Sequence, residues 1–147
     1  MEYLIGLALA AAVVGLAAGV GFDHDRSFAP TVLIVIASYY VLFAIIGGSS
    51  RAVAVESFVA GGFLLLGVLG FKGNLWLIPA AMVGHGVFDF FHHLLIHNPG
   101  VPSWGPGFCL AFDVLLGGWF ALLLARRSHP SLSVTSVHPQ GSGDARS

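Results

Sequence analysis

The chain is 147 residues long, 56% of them hydrophobic and only 9% charged, with a mean hydropathy of +0.89. A soluble domain carries about 25% charged residues, so this composition belongs to an integral membrane protein. A formal net charge of −1 without a clustered basic face excludes nucleic acid as a partner, and the single cysteine, Cys109, excludes both an intrachain disulfide framework and a multi-cysteine zinc site.

Hydropathy predicts five membrane spans, at residues 3–20, 31–46, 52–71, 75–96 and 108–125, each near the about 20 residues that cross a hydrocarbon core of roughly 30 Å. The fold class expected is all-α: an integral membrane bundle of five transmembrane helices over residues 1–127, with a disordered cytoplasmic tail over 128–147. The tail follows from a shift to Ser, Pro, Gly and scattered charge after Arg126-Arg127. The small residues around Ala17 and Ala18 would also suit a secretory signal. However, its leading region holds Glu2 and no Lys or Arg, so it reads as a retained span.

The connectors carry turn chemistry: Asp23-His24-Asp25-Arg26 with Pro30, then Gly47-Gly48-Ser49-Ser50, then Lys72-Gly73-Asn74. The longest, residues 98–107, holds Pro99, Pro102 and Pro106, which rule out a continued helix. Arg26, Lys72, Arg126, Arg127 and Arg146 fall on one side of a five-span topology and Arg51 alone on the other. The positive-inside rule therefore places the C-terminus in the cytoplasm and the proline-rich connector outside.

The fourth span carries the chemistry. His85, Asp89, His92 and His93 fall at about 0°, 40°, −20° and 80° around a helix, within one arc of roughly 100°. His97 continues that edge at the helix end, beside Asn98 and Pro99. At about 1.5 Å per residue from the external end, Glu56 lies near 6 Å deep, Asp113 near 8 Å, His92 and His93 between about 5 and 6 Å, Asp89 near 10 Å and His85 near 17 Å. Three spans thus bring acids and imidazoles to overlapping depths. Cys109 shares a helical face with Asp113, and Ser38, Tyr39 and Tyr40 on the second span reach the same level.

Ionisable groups at this depth cost a few kcal/mol each and face a protein interior with partners. Neutral imidazoles and carboxylates ligate transition metals, so the metal candidates are His85, Asp89, His92, His93, Asp113 and Glu56, with iron or zinc as the ion. The same groups at graded depths, His85 to Asp89 to His93, make a proton or cation relay. A third use is general acid and base chemistry on a lipid-soluble substrate.

Against these stands a purely structural hydrogen-bond network, in which each interhelical polar contact contributes about 0.6–2 kcal/mol; five or more ionisable groups exceed what packing needs. Glu56 near a span end reads equally as interfacial. His24, His97, His129 and His138 read as solvated loop residues, and Cys109 as a small apolar packer. Trp76, Trp104 and Trp119 fit an aromatic belt. Gly61-Gly62 and Gly117-Gly118 mean close helix approach. A haem carrier would need axial ligands on both ring faces, and with every intramembrane histidine on one span that requires a dimer.

The pattern His85-x3-Asp89-x2-His92-His93, then Asn98-Pro99, Pro102, Pro106, Cys109 and Asp113, resembles an uncharacterised family of small bacterial multi-pass membrane proteins. The run from Thr31 through Ser38-Tyr39-Tyr40 to Gly47 resembles the same proteins. That resemblance implies a bacterial inner (plasma) membrane location and no reaction. The segment His-x-x-His-His is also loosely similar to the histidine boxes of membrane di-iron desaturases and hydroxylases. Those enzymes draw on several boxes, so here Glu56, Asp89 and Asp113 would have to complete the shell. The expectation is a metal-dependent membrane enzyme acting on an apolar substrate among membrane lipids. The alternative is a small proton-coupled or cation transporter working as a homo-oligomer.

Overall fold

The computed structural model describes residues 1–128; the expected tail, with His129 and His138, lies outside the described residues. Five α-helices follow one another: α1 Glu2–Val20, α2 Phe28–Ile46, α3 Ser50–Lys72, α4 Leu77–Leu95 and α5 Gly105–Ser128, with a short 3-10 turn at Phe22–His24 between α1 and α2. Four of them, α1, α2, α3 and α5, are long and apolar enough to cross a membrane, with mean hydropathies of 2.3, 2.3, 2.1 and 2.1. The fourth has the length of α1 and α2 but is less apolar, because it carries His85, Asp89, His92 and His93. It meets that cost by turning its polar face inward.

Helix ends explain the boundaries. Pro30, Pro79 and Pro106 all fall within the first turn of α2, α4 and α5 rather than in the connectors before them. A first-turn N–H has no helical partner, so proline there removes no bond and its fixed φ suits the helix. Ser49 caps α3, its hydroxyl accepting from the Ala52 N–H at 3.2 Å. Before α2, the Ser27 backbone N–H and hydroxyl both donate to Asp25 Oδ1 at 2.8 Å, which holds that carboxyl below its usual range. Arg26 donates to the Phe71 carbonyl at 2.7 Å, capping the end of α3.

Helix α4 is central. It packs along α5 and also against α3 and α2; α2 pairs with α3, and α1 lies along the far side of α5. The end of the bundle near connector 73–76 is filled by Leu33 and Ile36 of α2, Ile78, Ala81 and Met82 of α4, and Leu116 and Phe120 of α5. The opposite end holds the buried polar groups. Gly86 sets the spacing between α4 and α5, since a Cβ there would stand 2.9 Å from Asp113 Cβ.

The chain leaving α4 folds back onto α2. A Cβ on Gly100 would collide with the Phe43 carbonyl, so only glycine permits this approach. Gly100→Ala is expected to lower stability by about 1–3 kcal/mol through overpacking, measured as thermal unfolding in detergent. An unchanged midpoint would show that this loop does not dock.

Candidate metal centre

Three turns of α4 deliver His85, Asp89 and His92 to the interior at successive levels, all at most 3% exposed. At the deepest level His85 Nδ1–H donates to Asp113 Oδ2 of α5 at 2.8 Å, and the same nitrogen lies 3.5 Å from Asp89 Oδ2. One ligand atom from each of His85, Asp89 and Asp113 lies within 4.8 Å of the others. Asp89 and Asp113 are both fully buried. Tyr40 and Cys109 border Asp89, and the Phe63 ring packs edge-on to His85 at 4.7 Å between centroids.

One level nearer the α4 C-terminus is a second pair. His92 Nε2–H donates to Glu56 Oε1 at 2.6 Å, and Asn98 Nδ2 donates to the same oxygen at 2.9 Å and to the Tyr40 carbonyl at 3.1 Å. Asn98 Oδ1 in turn accepts from the Gly100 N–H at 3.1 Å, which ties this network to the folded-back loop. Tyr40 joins the two levels, its ring 4.4 Å from His92 and 6.4 Å from His85. Tyr39 and Ser38 instead face outward.

Of the six sequence-derived candidates, the structure gathers His85, Asp89 and Asp113 into one cluster and His92 with Glu56 into another. His93 sits at the edge of the arc and is exposed; it joins neither. Its ring, with those of His92 and His97, lines a cavity of about 480 Å³ where the N-terminus of α1, the end of α4 and the proline-rich loop meet. Asn98 is a functional neighbour that sequence reading passed over, because an amide beside a proline after a helix reads as a turn signal.

The cluster suits a divalent cation on three counts. Tetrahedral bonds of about 2.0–2.2 Å place ligand atoms about 3.3–3.6 Å apart; an ion displacing the Nδ1 proton of His85 would find Asp89 at 3.5 Å from that nitrogen and would widen its 2.8 Å separation from Asp113. Two carboxylates and a neutral imidazole carry the charge that a divalent ion cancels. Finally, among the described residues Oδ1 of Asp113 has no hydrogen-bond partner, and the Asp89 carboxyl meets only the Tyr40 hydroxyl and the Cys109 thiol beside it. A buried acceptor left unpaired costs about 1–3 kcal/mol, and a bound cation offsets that cost. No family model, curated protein or solved structure matches the chain.

Proposed function

We propose that the protein is a membrane metalloenzyme whose His85, Asp89 and Asp113 hold one divalent transition metal ion, zinc or iron, and which acts on an apolar or amphipathic substrate. The observation that carries this reading is the convergence of one imidazole nitrogen and two carboxylates in a buried interior, with Oδ1 of Asp113 unpaired. A ligand set of imidazole and carboxylate suits zinc and iron alike. The bound ion would supply Lewis acidity. The chain's own groups have separate tasks: Glu56 orients the His92 ring, Asn98 fixes Glu56, and His92, which borders the cavity, keeps its Nδ1 as a proton acceptor.

Metal analysis of the purified protein tests this. One zinc or iron per chain is expected, falling to background in Asp89→Asn; wild-type protein without metal after growth in metal-replete medium would overturn it.

A second reading, a proton or cation relay, is favoured by the close tilted packing of Tyr40 against His92, beside Asp89. Liposomes showing pH-driven flux abolished by Asp89→Asn, with metal-free protein, would replace the enzyme by the transporter. We further propose a bacterial inner membrane location with the C-terminus cytoplasmic, kinship with the small multi-pass proteins that share the His-x3-Asp-x2-His-His pattern, and a homo-oligomeric state. The basic residues on one side support the orientation.

A further inference from the structure

Tyr40 of α2 reaches both buried levels, and its surroundings fix it in place. Its backbone carbonyl accepts from Asn98 Nδ2 at 3.1 Å, and its ring stands 4.4 Å from that of His92 and 6.4 Å from that of His85. Phe43 meets the ring edge-on at 5.9 Å, and only 3% of the residue is exposed. A side chain enclosed this way is held in one rotamer, so its hydroxyl keeps one position, beside the Asp89 carboxyl. From α5, the Cys109 thiol comes to the same carboxyl. Cys109 lies one turn before Asp113, so one face of α5 carries both.

Asp89 thus has two sets of neighbours. One set is the ligand group: its Oδ2 stands 3.5 Å from His85 Nδ1, and one of its oxygens gathers with His85 and Asp113 within 4.8 Å. The other set is the Tyr40 hydroxyl and the Cys109 thiol, each with one proton to donate. Cys109 Sγ is not among the atoms that gather, so the thiol is a neighbour of a ligand rather than a ligand itself. Ligating carboxylates are ordinarily hydrogen-bonded in turn by such outer groups, which fix their orientation.

We propose that Tyr40 is a positioning residue of the metal centre, assisted by Cys109: the two donors occupy one Asp89 oxygen and leave the other to the ion. Asp89 then binds through a single oxygen, and the ion has three protein ligand atoms with one position open, the arrangement of catalytic zinc sites. A shell this small also discriminates. Calcium takes about six to eight oxygens and magnesium requires near-ideal octahedral geometry, so both are rejected. This role rests on the reading of His85, Asp89 and Asp113 as a metal centre, and it sets the coordination number and selectivity of that centre.

The test uses full-length protein in detergent, with zinc affinity read by chelator competition and coordination read from the visible absorption of cobalt(II) in its place. Tyr40→Phe is expected to bind zinc about 10–100-fold more weakly. Its cobalt(II) band should also weaken, because a freed Asp89 turns bidentate and a higher-coordinate ion absorbs less. Cys109→Ala should lose about tenfold, while Cys109→Ser, which keeps a donor, should stay near wild type. A hydroxyl with a purely structural role would lower the unfolding midpoint of Tyr40→Phe and leave the cobalt(II) spectrum unchanged. That outcome, or zinc affinity equal to wild type in both Tyr40→Phe and Cys109→Ala, would overturn the positioning role. If Tyr40→Phe does not fold, the contrast between Cys109→Ala and Cys109→Ser decides. Wild-type protein that takes up neither zinc nor cobalt(II) removes the metal centre and this role with it, whereas a wild type that binds beside variants that bind equally removes the role alone.

Discussion

Glu56→Ala is expected to destabilise the protein by about 2–6 kcal/mol, because it strands two buried donors at about 1–3 kcal/mol each. Glu56 Oε1 accepts from both His92 and Asn98, and all three side chains are buried. Alanine would orphan two buried donors at once. It would also free Asn98, whose second bond holds the Tyr40 carbonyl. Glu56→Gln keeps the accepting oxygen and should cost no more than the about 0.5–1.5 kcal/mol of a typical hydrogen bond. Glu56→Ala combined with His92→Phe should lose less than the two single changes summed, because the second removes a donor the first has stranded. Thermal unfolding in detergent reads all of these. Equal midpoints for the alanine and glutamine variants would show that the carboxylate accepts neither bond.

The second large effect concerns metal affinity. Removing a group that merely supports a ligand costs roughly 10–100-fold in affinity, so replacing a ligand itself should exceed that. Asp113→Asn and His85→Ala are therefore each expected to lower affinity by more than about 100-fold, measured by competition with a chelator. His93→Ala should leave it unchanged, since that imidazole stands outside the cluster. Asp113→Asn retains the side-chain volume that Gly86 packs against, so the loss should come without collapse of the α4 and α5 interface. If His93→Ala and Asp113→Asn reduced affinity equally, the metal would lie in the cavity rather than in the buried cluster.

Much of this arrangement was legible in the sequence. Hydropathy predicts all five helices, and four of them, α1, α2, α3 and α5, are long and apolar enough to cross a membrane. The helical wheel of α4 places His85, Asp89 and His92 within about 60° of arc, and the three are buried together. His93, at about 80°, lies within the arc that Met82 and Gly86 bury earlier in the helix, but it falls in the last turn of α4, where it opens on the cavity. Depth counting aligned Glu56 and Asp113 with these groups but could not orient them around their own helices. Glu56 turns inward to meet His92 and Asn98 of other segments, and the close approach of α5 to α4 depends on Gly86. Tyr40 and Asn98 were not separable from Tyr39 and His97 by pattern. Asn98 turns inward only because Gly100 docks on the Phe43 carbonyl, a contact between segments far apart in the chain. Proline was misleading at Pro106, where a residue expected to end structure instead starts a helix.

X-ray absorption at the metal edge of protein loaded with one equivalent of zinc reads the coordination directly. The expected shell holds one imidazole nitrogen and at least two carboxylate oxygens at about 2.0–2.2 Å, and it vanishes in His85→Ala. A shell with two or more imidazoles, or zinc no higher than in the detergent blank, would contradict a centre built from His85, Asp89 and Asp113.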